Sequence, residues 1–390
     1  MADVLAKTGN NEYMQVIFWT ALFLLVYTFA GYPILMRLLA KLRPTDIQQA
    51  AYPPCPEKTS ISILIAAHNE AANIKARINN LLATGLLHDQ WEIIIVSDGS
   101  NDDTAQIAKS INHPHIKVIE LNQRQGKAAC INIAANTAKS EIFIFTDARQ
   151  SFASNAITEL IRPFADPDIV GVSGELHIAP AGQGALSGLS RYWSLECQLR
   201  SDESRFRSTI GCTGAIYAIR ADSFKPIPED TILDDVVIPL QATQNGGRVL
   251  FNRAARAFDP QPLNSSRERL RKTRTLAGNF QILFRYNAWL LPWRHPQWWQ
   301  LISHKHLRIL APALMLMCVI TNASLLRSHM LYSVLGWAQV TIYTIAALGL
   351  YTSLSKFRPF SLAASFMFLN AMSITGFFYF LSSYKRRGWE

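Results

Sequence analysis

The chain has 390 residues, 49% of them hydrophobic, and a formal net charge of +10. That length holds either two water-soluble domains or one large domain plus membrane segments. Hydropathy excludes the first: Tyr13 to Met36 contains no charged side chain, and as a helix its 24 residues extend about 36 Å, enough to cross a hydrocarbon core.

The apolar stretch is too long, and the arm before it too weakly basic, for a cleavable signal peptide, so residues 1–43 read as a membrane anchor. Arg37, Lys41 and Arg43 follow it, against Lys7 alone before it, which places the next segment in the cytoplasm of a cell whose inner membrane holds the anchor. A linker from Arg43 to Ser60 carries Pro44, Pro53, Pro54 and Pro56. Strands are then expected at Ile61 to Ala67, Glu92 to Ser97, Ile116 to Glu120 and Glu141 to Thr146. Between them, Ile74, Ile78, Leu81 and Leu82 mark one amphipathic helix, a second runs to about Ser110, and a third covers Ala128 to Ala138. Asn155 to Phe164 reads as helical and Ile169 to His177 as extended. Strand–helix alternation implies an α/β fold with a mainly parallel, Rossmann-like sheet.

Residues 44–288 form this cytoplasmic domain. Residues 289–308, with Trp289, Trp293, Trp298 and Trp299, read as an interfacial segment along the membrane. Residues 309–390 hold about three further spans, at Ile309 to Leu326, Met330 to Leu354 and Phe360 to Tyr384. Four spans would place Lys385, Arg386 and Arg387 outside, against the positive-inside tendency; either one C-terminal segment is re-entrant or the tail is an exception. The cations gather beside the spans and in Arg267 to Arg274, a distribution that argues for anionic lipid or a phosphorylated substrate and against nucleic acid. Five scattered cysteines form no paired ligand spacing, which fits a reducing compartment and gives no zinc site.

Three apolar strands deliver polar residues to their ends: His68-Asn69-Glu70 after the first, Asp98-Gly99-Ser100 at the second, Thr146-Asp147-Ala148-Arg149 at the last. In an open α/β sheet this edge is where ligands bind. Together with Gly126-Lys127 and Leu233-Asp234-Asp235, these segments resemble the ordered signatures of membrane-bound family 2 glycosyltransferases with a GT-A fold, over residues 60–285. That group includes synthases of cellulose, chitin and hyaluronan as well as enzymes that add one sugar to a lipid.

The resemblance assigns roles. His68, Asn69, Glu70, Asp98 and Gly99 would hold a uridine-type nucleoside, and Lys127, Arg149, Arg271 and Arg274 the diphosphate. Asp147 would carry Mg²⁺ or Mn²⁺, which prefer oxygen ligands. Relatives place a second acid two residues on; here that residue is Arg149, so metal ligation rests on Asp147 and a non-local ligand. Asp234 and Asp235 form the catalytic pair, with Asp235 the expected base that removes the acceptor proton. Gly214, Ala215, Tyr217 and Trp193 fall on the acceptor side. The basic motif that closes with tryptophan in the family ends here in Thr275. The whole pattern implies a hexosyltransferase that inverts the anomeric centre and builds a cell-surface polysaccharide or exopolysaccharide from a UDP-sugar. The alternative is single transfer to a lipid, which the missing tryptophan favours. A transporter or receptor that only binds sugar nucleotides is the remote alternative. Partners implied are the donor, a glycan or lipid-linked acceptor, the bilayer, and a second copy or an accessory export subunit.

Overall fold

In the computed structural model, residues 2–44, 59–84, 90–178, 186–260 and 265–383 are described. Most of the proline-rich linker, Cys55 and Lys385 to Arg387 lie outside these residues, as do the side chains of Arg191, Tyr192 and Arg267.

Runs of isoleucine and valine, short and apolar on both faces, set the parallel half of the sheet. They form β1 (Ile61–Ala67), β2 (Trp91–Asp98), β3 (Ile116–Leu121) and β4 (Ile142–Asp147). All seven residues of β1 are buried, and each fully buried isoleucine contributes about 1.5–3 kcal/mol. The helices α3 (Ala71–Ala83), α4 (Thr104–Ser110) and α5 (Lys127–Thr137) make the crossovers. Ile74, Ile78 and Leu81 of α3 pack on one face of the sheet, Ala128, Ile131 and Ala134 of α5 on the other. Register aligns the strand ends, because Ala66 pairs with Asp147 and Ala67 with Ser97.

After β4 the sheet turns mixed. The remaining soluble elements are β5 (Ser151–Phe152), α6 (Ala156–Ile161), β6 (Ile169–Ile178), α7 (Leu186–Phe206), β7 (Tyr217–Arg220), α8 (Asp234–Thr243), β8 (Arg248–Asp259) and α9 (Ser265–Arg285). Strand order is β3-β2-β1-β4-β7-β6-β8-β5. β7 lies antiparallel between β4 and β6, and β5 is antiparallel to β8. The sheet is therefore less uniformly parallel than strand–helix alternation suggests. β7 has only four residues, too few for a periodic signal, and Arg253 and Arg256 break the apolar run of β8.

The membrane part opens with α1 (Ala2–Val26), a π-helical turn at Tyr27–Gly31 and α2 (Tyr32–Leu42). It resumes at α10 (Trp298–Gln300), which passes through another π-helical turn, Leu301–His306, into α11 (Leu307–Leu325); α12 (Met330–Tyr351) and α13 (Arg358–Ser383) follow. Among the described residues, four helices are long and apolar enough to cross a membrane, one of them continuous over Trp298–Leu325. Residues 298–308 thus run without a break into the apolar helix that follows. Their cations obscure this in sequence, because His304, Lys305 and Arg308 find their carboxylate on α7, at Glu196. Trp289 is also buried, stacked on Tyr286 with ring centroids 4.1 Å apart.

The last helix bears on the tail. Tyr32 of α2 and His304 before α11 both bond Glu203 of α7, which fixes that end of the bundle against the soluble domain. Phe18 and Cys318 cluster with Tyr332 at the start of α12, which fixes the far end. α13 finishes back at the domain, with Phe377 and Phe380 against Phe280 and Phe284 of α9. α12 thus starts at the far end of the bundle, and α13 finishes at the end nearer the soluble domain. A protease site appended at the C-terminus should be cleaved from the same side as one inserted in the soluble domain, which protease protection in sealed vesicles of both orientations will check.

Candidate active site

The aligned strand ends collect the polar residues, and hydrogen bonds explain their order. Asp98 is fully buried at the end of β2, its carboxylate accepting from the backbone N–H of Gln125 at 2.6 Å and of Gly126 at 2.9 Å. Gly99 makes the approach feasible. It sits at φ +56°, and a Cβ there would stand 2.6 Å from the backbone nitrogen of Arg124. Asp98 therefore anchors the loop that launches α5. Replacing it by alanine strands the buried amide of Gly126 and frees that of Gln125, and should destabilise the protein by about 1–3 kcal/mol, with donor affinity falling in parallel; calorimetric melts and nucleotide titration will check this.

The first strand end is knitted to the second. His68 Nδ1 meets the carbonyl of Asp98 at 2.7 Å, Asn69 Oδ1 accepts from the N–H of Asn101 at 2.9 Å, and Glu70 accepts from Asn73 at 2.6 Å. Asn69 adopts φ 54°, a conformation asparagine tolerates better than most residues.

Lys127, the first residue of α5, reaches across to the other acids. Its Nζ lies 3.0 Å from Asp147 Oδ1 and 3.3 Å from Asp234 Oδ2. Burial lowers its proton affinity, but Asp147, Asp234 and Asp235 outweigh that and hold the ammonium above the ordinary lysine range. Asp234 and Asp235 open α8. Asp234 is buried; its Oδ2 makes no hydrogen bond beyond its ionic contact with Lys127. Asp235 is half-buried, and its carboxyl is pushed up to about 6, first by burial and then by the charge of Asp234, against Lys127 and Arg200. Gly214 leaves it room, since a Cβ there would stand 3.2 Å from Asp235 Oδ2. Four side chains separated by up to 108 positions in sequence thus share one mouth at the carboxyl edge of the sheet.

Other expected site residues fall elsewhere. Arg149 pairs with Asp259 at 2.8 Å. Tyr217 is fully buried on β7, its ring stacked on Phe145 at 4.6 Å, and Ala215 is buried with its carbonyl accepting from Thr146; neither side chain presents an acceptor surface. Trp193 donates to the carbonyl of Leu176 and lies under the guanidinium of Arg200, 5.7 Å away. Arg271 is exposed and Arg274 half-buried on α9. Arg77 was missed. It is buried beneath Asp147, donates to Thr146 at 2.7 Å, and burial brings it down to about 9. Its signal was legible: position 77 shares the apolar face of α3 with Ile74, Ile78 and Leu81, where a cation has no reason to be unless it has a partner. Arg200 was also missed; it bonds Glu196 and Thr213 beside Gly214.

A divalent cation can be tested against this donor set. Among the described residues no group of three or more His, Cys, Asp or Glu side chains gathers to form a closed cage. Mg²⁺ is commonly held by one or two carboxylates plus substrate phosphates. Asp147, with 36% of its side chain exposed at the strand end, fits that arrangement.

Residues 62–227 match the family model for glycosyl transferase family 2. The chain carries a family 2 glycosyltransferase domain. Over 124 residues this domain is 31% identical to a poly-β-1,6-N-acetyl-D-glucosamine synthase of Staphylococcus aureus, covering 31% of this chain and 30% of that protein. Over 122 residues it is 32% identical to an uncharacterized glycosyltransferase of Nostoc, covering 30% and 37% of the two chains. The alignments thus span about a third of the curated relatives. In three dimensions the chain is similar to the mannosyltransferase PcManGT of Pyrobaculum calidifontis, solved with GDP-Man and Mn²⁺: the TM-score is 0.71 at 18% identity, over 94% of this chain and 99% of that one. The glycosyltransferase domain therefore has the GT-A fold, with apolar helices appended.

Proposed function

We propose that this protein is a membrane-embedded, inverting glycosyltransferase that moves a hexose from a nucleotide-diphosphate sugar, UDP-linked, to a hydroxyl of a cell-surface glycan or of its lipid-linked precursor. The observation that carries this reading is the convergence of Lys127, Asp147, Asp234 and Asp235: the ammonium pairs with two of the acids and acts electrostatically on the third.

The acceptor oxygen attacks the anomeric carbon as Asp235 takes its proton, and the bond to the diphosphate breaks on the opposite face. Lys127 meets the charge that develops on the leaving diphosphate. Asp234, close to Lys127, keeps the ammonium aimed into the site. Asp98 and the turn at Gly99 hold the loop that sets the position of Lys127, and His68, Asn69 and Glu70 border the nucleoside side. Asp147 would hold Mg²⁺ or Mn²⁺, which when bound supplies further charge compensation to the diphosphate oxygens. Transfer to a single lipid acceptor, without polymerisation, is favoured by one specific observation: Thr275 stands where the aromatic platform of polymer-holding relatives is expected, and its side chain lines a membrane-side cavity. Passage of a polymer through four helices would call for a second copy or an export subunit.

The purified full chain in lipid nanodiscs, offered a panel of UDP- and GDP-sugars with and without Mn²⁺, should turn over one donor preferentially. Chelation should lower the rate at least tenfold, with Mn²⁺ restoring it. No turnover of any donor would sink the enzyme reading; a sugar-nucleotide-binding transporter or receptor would then remain.

A further inference from the structure

The hydroxyl of Tyr217 takes no part in the packing that buries its ring. The residue is fully buried on β7, paired in register with Phe145 of β4 and Ser173 of β6. Its ring stacks on Phe145 and shares a cluster with Ala128 of α5 and Val236 of α8, so it lies on the sheet face that those helices cover. Asp147, two positions beyond Phe145 on the same strand, is directed to that face as well. α5 and α8 begin at Lys127 and Asp234, so Tyr217 sits beneath the two helix starts that meet at the site. Among the described residues its Oη has no hydrogen-bond partner. Phenylalanine would fill the same space without burying a polar atom, which is costly when left unpaired.

The charges around it point to one acid. Burial first, and then Asp234 ahead of Cys212, Asp235 and Asp147, holds the phenol well above the ordinary tyrosine range, so the hydroxyl keeps its proton and can donate. Asp234 Oδ2 is buried without a hydrogen bond, held only by the Lys127 ammonium at 3.3 Å. Lys127 divides itself between this oxygen and Asp147, which it meets at 3.0 Å. A bound diphosphate draws on the same ammonium and its three N–H donors. The longer contact, to Asp234, is the one that gives way, and a buried carboxylate then needs another donor.

We propose that Tyr217 is a positioning residue for Asp234 and Asp235: once the donor diphosphate engages Lys127, the Tyr217 hydroxyl donates to Asp234 and holds that carboxylate in place beside the base. The hydroxyl touches neither sugar nor phosphate. The inference rests on the glycosyl-transfer reading and adds one residue to it. The groups that face Asp235 are Asp234 beside it, Lys127 of α5, Arg200 of α7 and Lys305 before α11, with Cys212 and Tyr217 on the β7 side. A hydrogen bond to Asp234 reduces the negative charge that Asp235 feels, so the base ionises at lower pH than it would without the phenol.

Tyr217→Phe keeps the ring and removes the oxygen. In the full chain in lipid nanodiscs with Mn²⁺, and with the nucleotide sugar it turns over best as the varied substrate, the acidic limb of the kcat profile should move up by about half a pH unit. On that limb kcat falls about threefold, and above it kcat is unchanged. The limb of kcat/KM, which reports the protein before the donor binds, should stay where it is. Added to Asp234→Ala, Tyr217→Phe should shift neither limb further. Melting temperature and nucleotide affinity report that the variant is folded. Should it not fold, 3-fluorotyrosine placed at position 217 of the otherwise unmodified chain gives a fluorine resonance that should move when the nucleoside diphosphate of that donor binds with Mn²⁺, and stay put in Asp234→Ala. A kcat profile that does not shift, profiles of kcat and kcat/KM that shift together, or a fluorine resonance indifferent to nucleotide would each overturn the proposal. Any of these with donor turnover intact defeats this inference alone, whereas no turnover of any donor defeats the reading beneath it and this inference with it.

Discussion

Asp235→Asn is expected to abolish sugar transfer, by at least a thousandfold, while making the protein more stable. The first effect follows from loss of the base, a role that commonly contributes about 10²–10⁴ in rate. The second follows from the environment that makes the base useful. The Asp235 carboxyl is raised from 3.8 to about 6 by burial and by Asp234, so the folded state binds a proton more tightly than the unfolded chain. Its ionisation therefore destabilises the fold as pH rises from about 4 through about 6, with the full cost present above that window. Asparagine removes the charge, and about 1–3 kcal/mol should be regained at pH 7.5, judged at 1.36 kcal/mol per pKa unit and discounted for coupling. The difference should vanish below pH 4. In the unmodified protein kcat should fall tenfold per pH unit below about 6 and level off above it. Thermal melts at two pH values and a pH–rate profile check all three; equal melting of the two proteins at pH 7.5 would contradict the assignment.

Lys127→Met should have the largest effect on both binding and stability. It leaves Asp147, Asp234 and Asp235 facing one another without their shared cation. Breaking a buried pair by removing one partner typically costs about 3–5 kcal/mol. Donor KM should rise at least tenfold, because the ammonium no longer meets the diphosphate. The residual rate carries a further signature. Lys127 holds Asp235 down, so without it the acidic limb of the pH–rate profile should move to higher pH. Adding Asp234→Asn should restore much of the stability and none of the donor affinity. A merely structural lysine would leave the pH limb where it is.

The parallel half of the fold was readable because its strands are uninterrupted apolar runs, and their ends were readable because Asp98, Asp147 and the 68–70 segment break those runs abruptly. β7 and β8 were not: one is too short to show a period, the other is studded with arginine. Asp234 and Asp235, the pair proposed to act in catalysis, stand side by side in sequence, but the dependence of Asp235 on Lys127 and Arg200 is purely spatial. Asp98 gained a different task. Sequence pointed it at the nucleoside, whereas its carboxylate is committed to two backbone amides. Tyr217 was placed on the acceptor side because its small-residue segment resembles the family's, yet its side chain faces the core. The cavity between the soluble domain and the apolar helices was invisible for another reason, since its wall is assembled from residues spread from position 29 to position 373.

Helix α7 holds Glu196 and Glu203, and both are buried against His304, whose two ring nitrogens each face a carboxylate, at 2.9 and 2.8 Å. Tyr32 closes the same cluster from the other side. An excised soluble domain would strip Glu203 of His304 and Tyr32 and leave Glu196 with Arg200 of its own helix in place of His304, Lys305 and Arg308. The apolar helices are in that sense part of the charge network that holds α7, and attempts to prepare the soluble portion alone should yield aggregates.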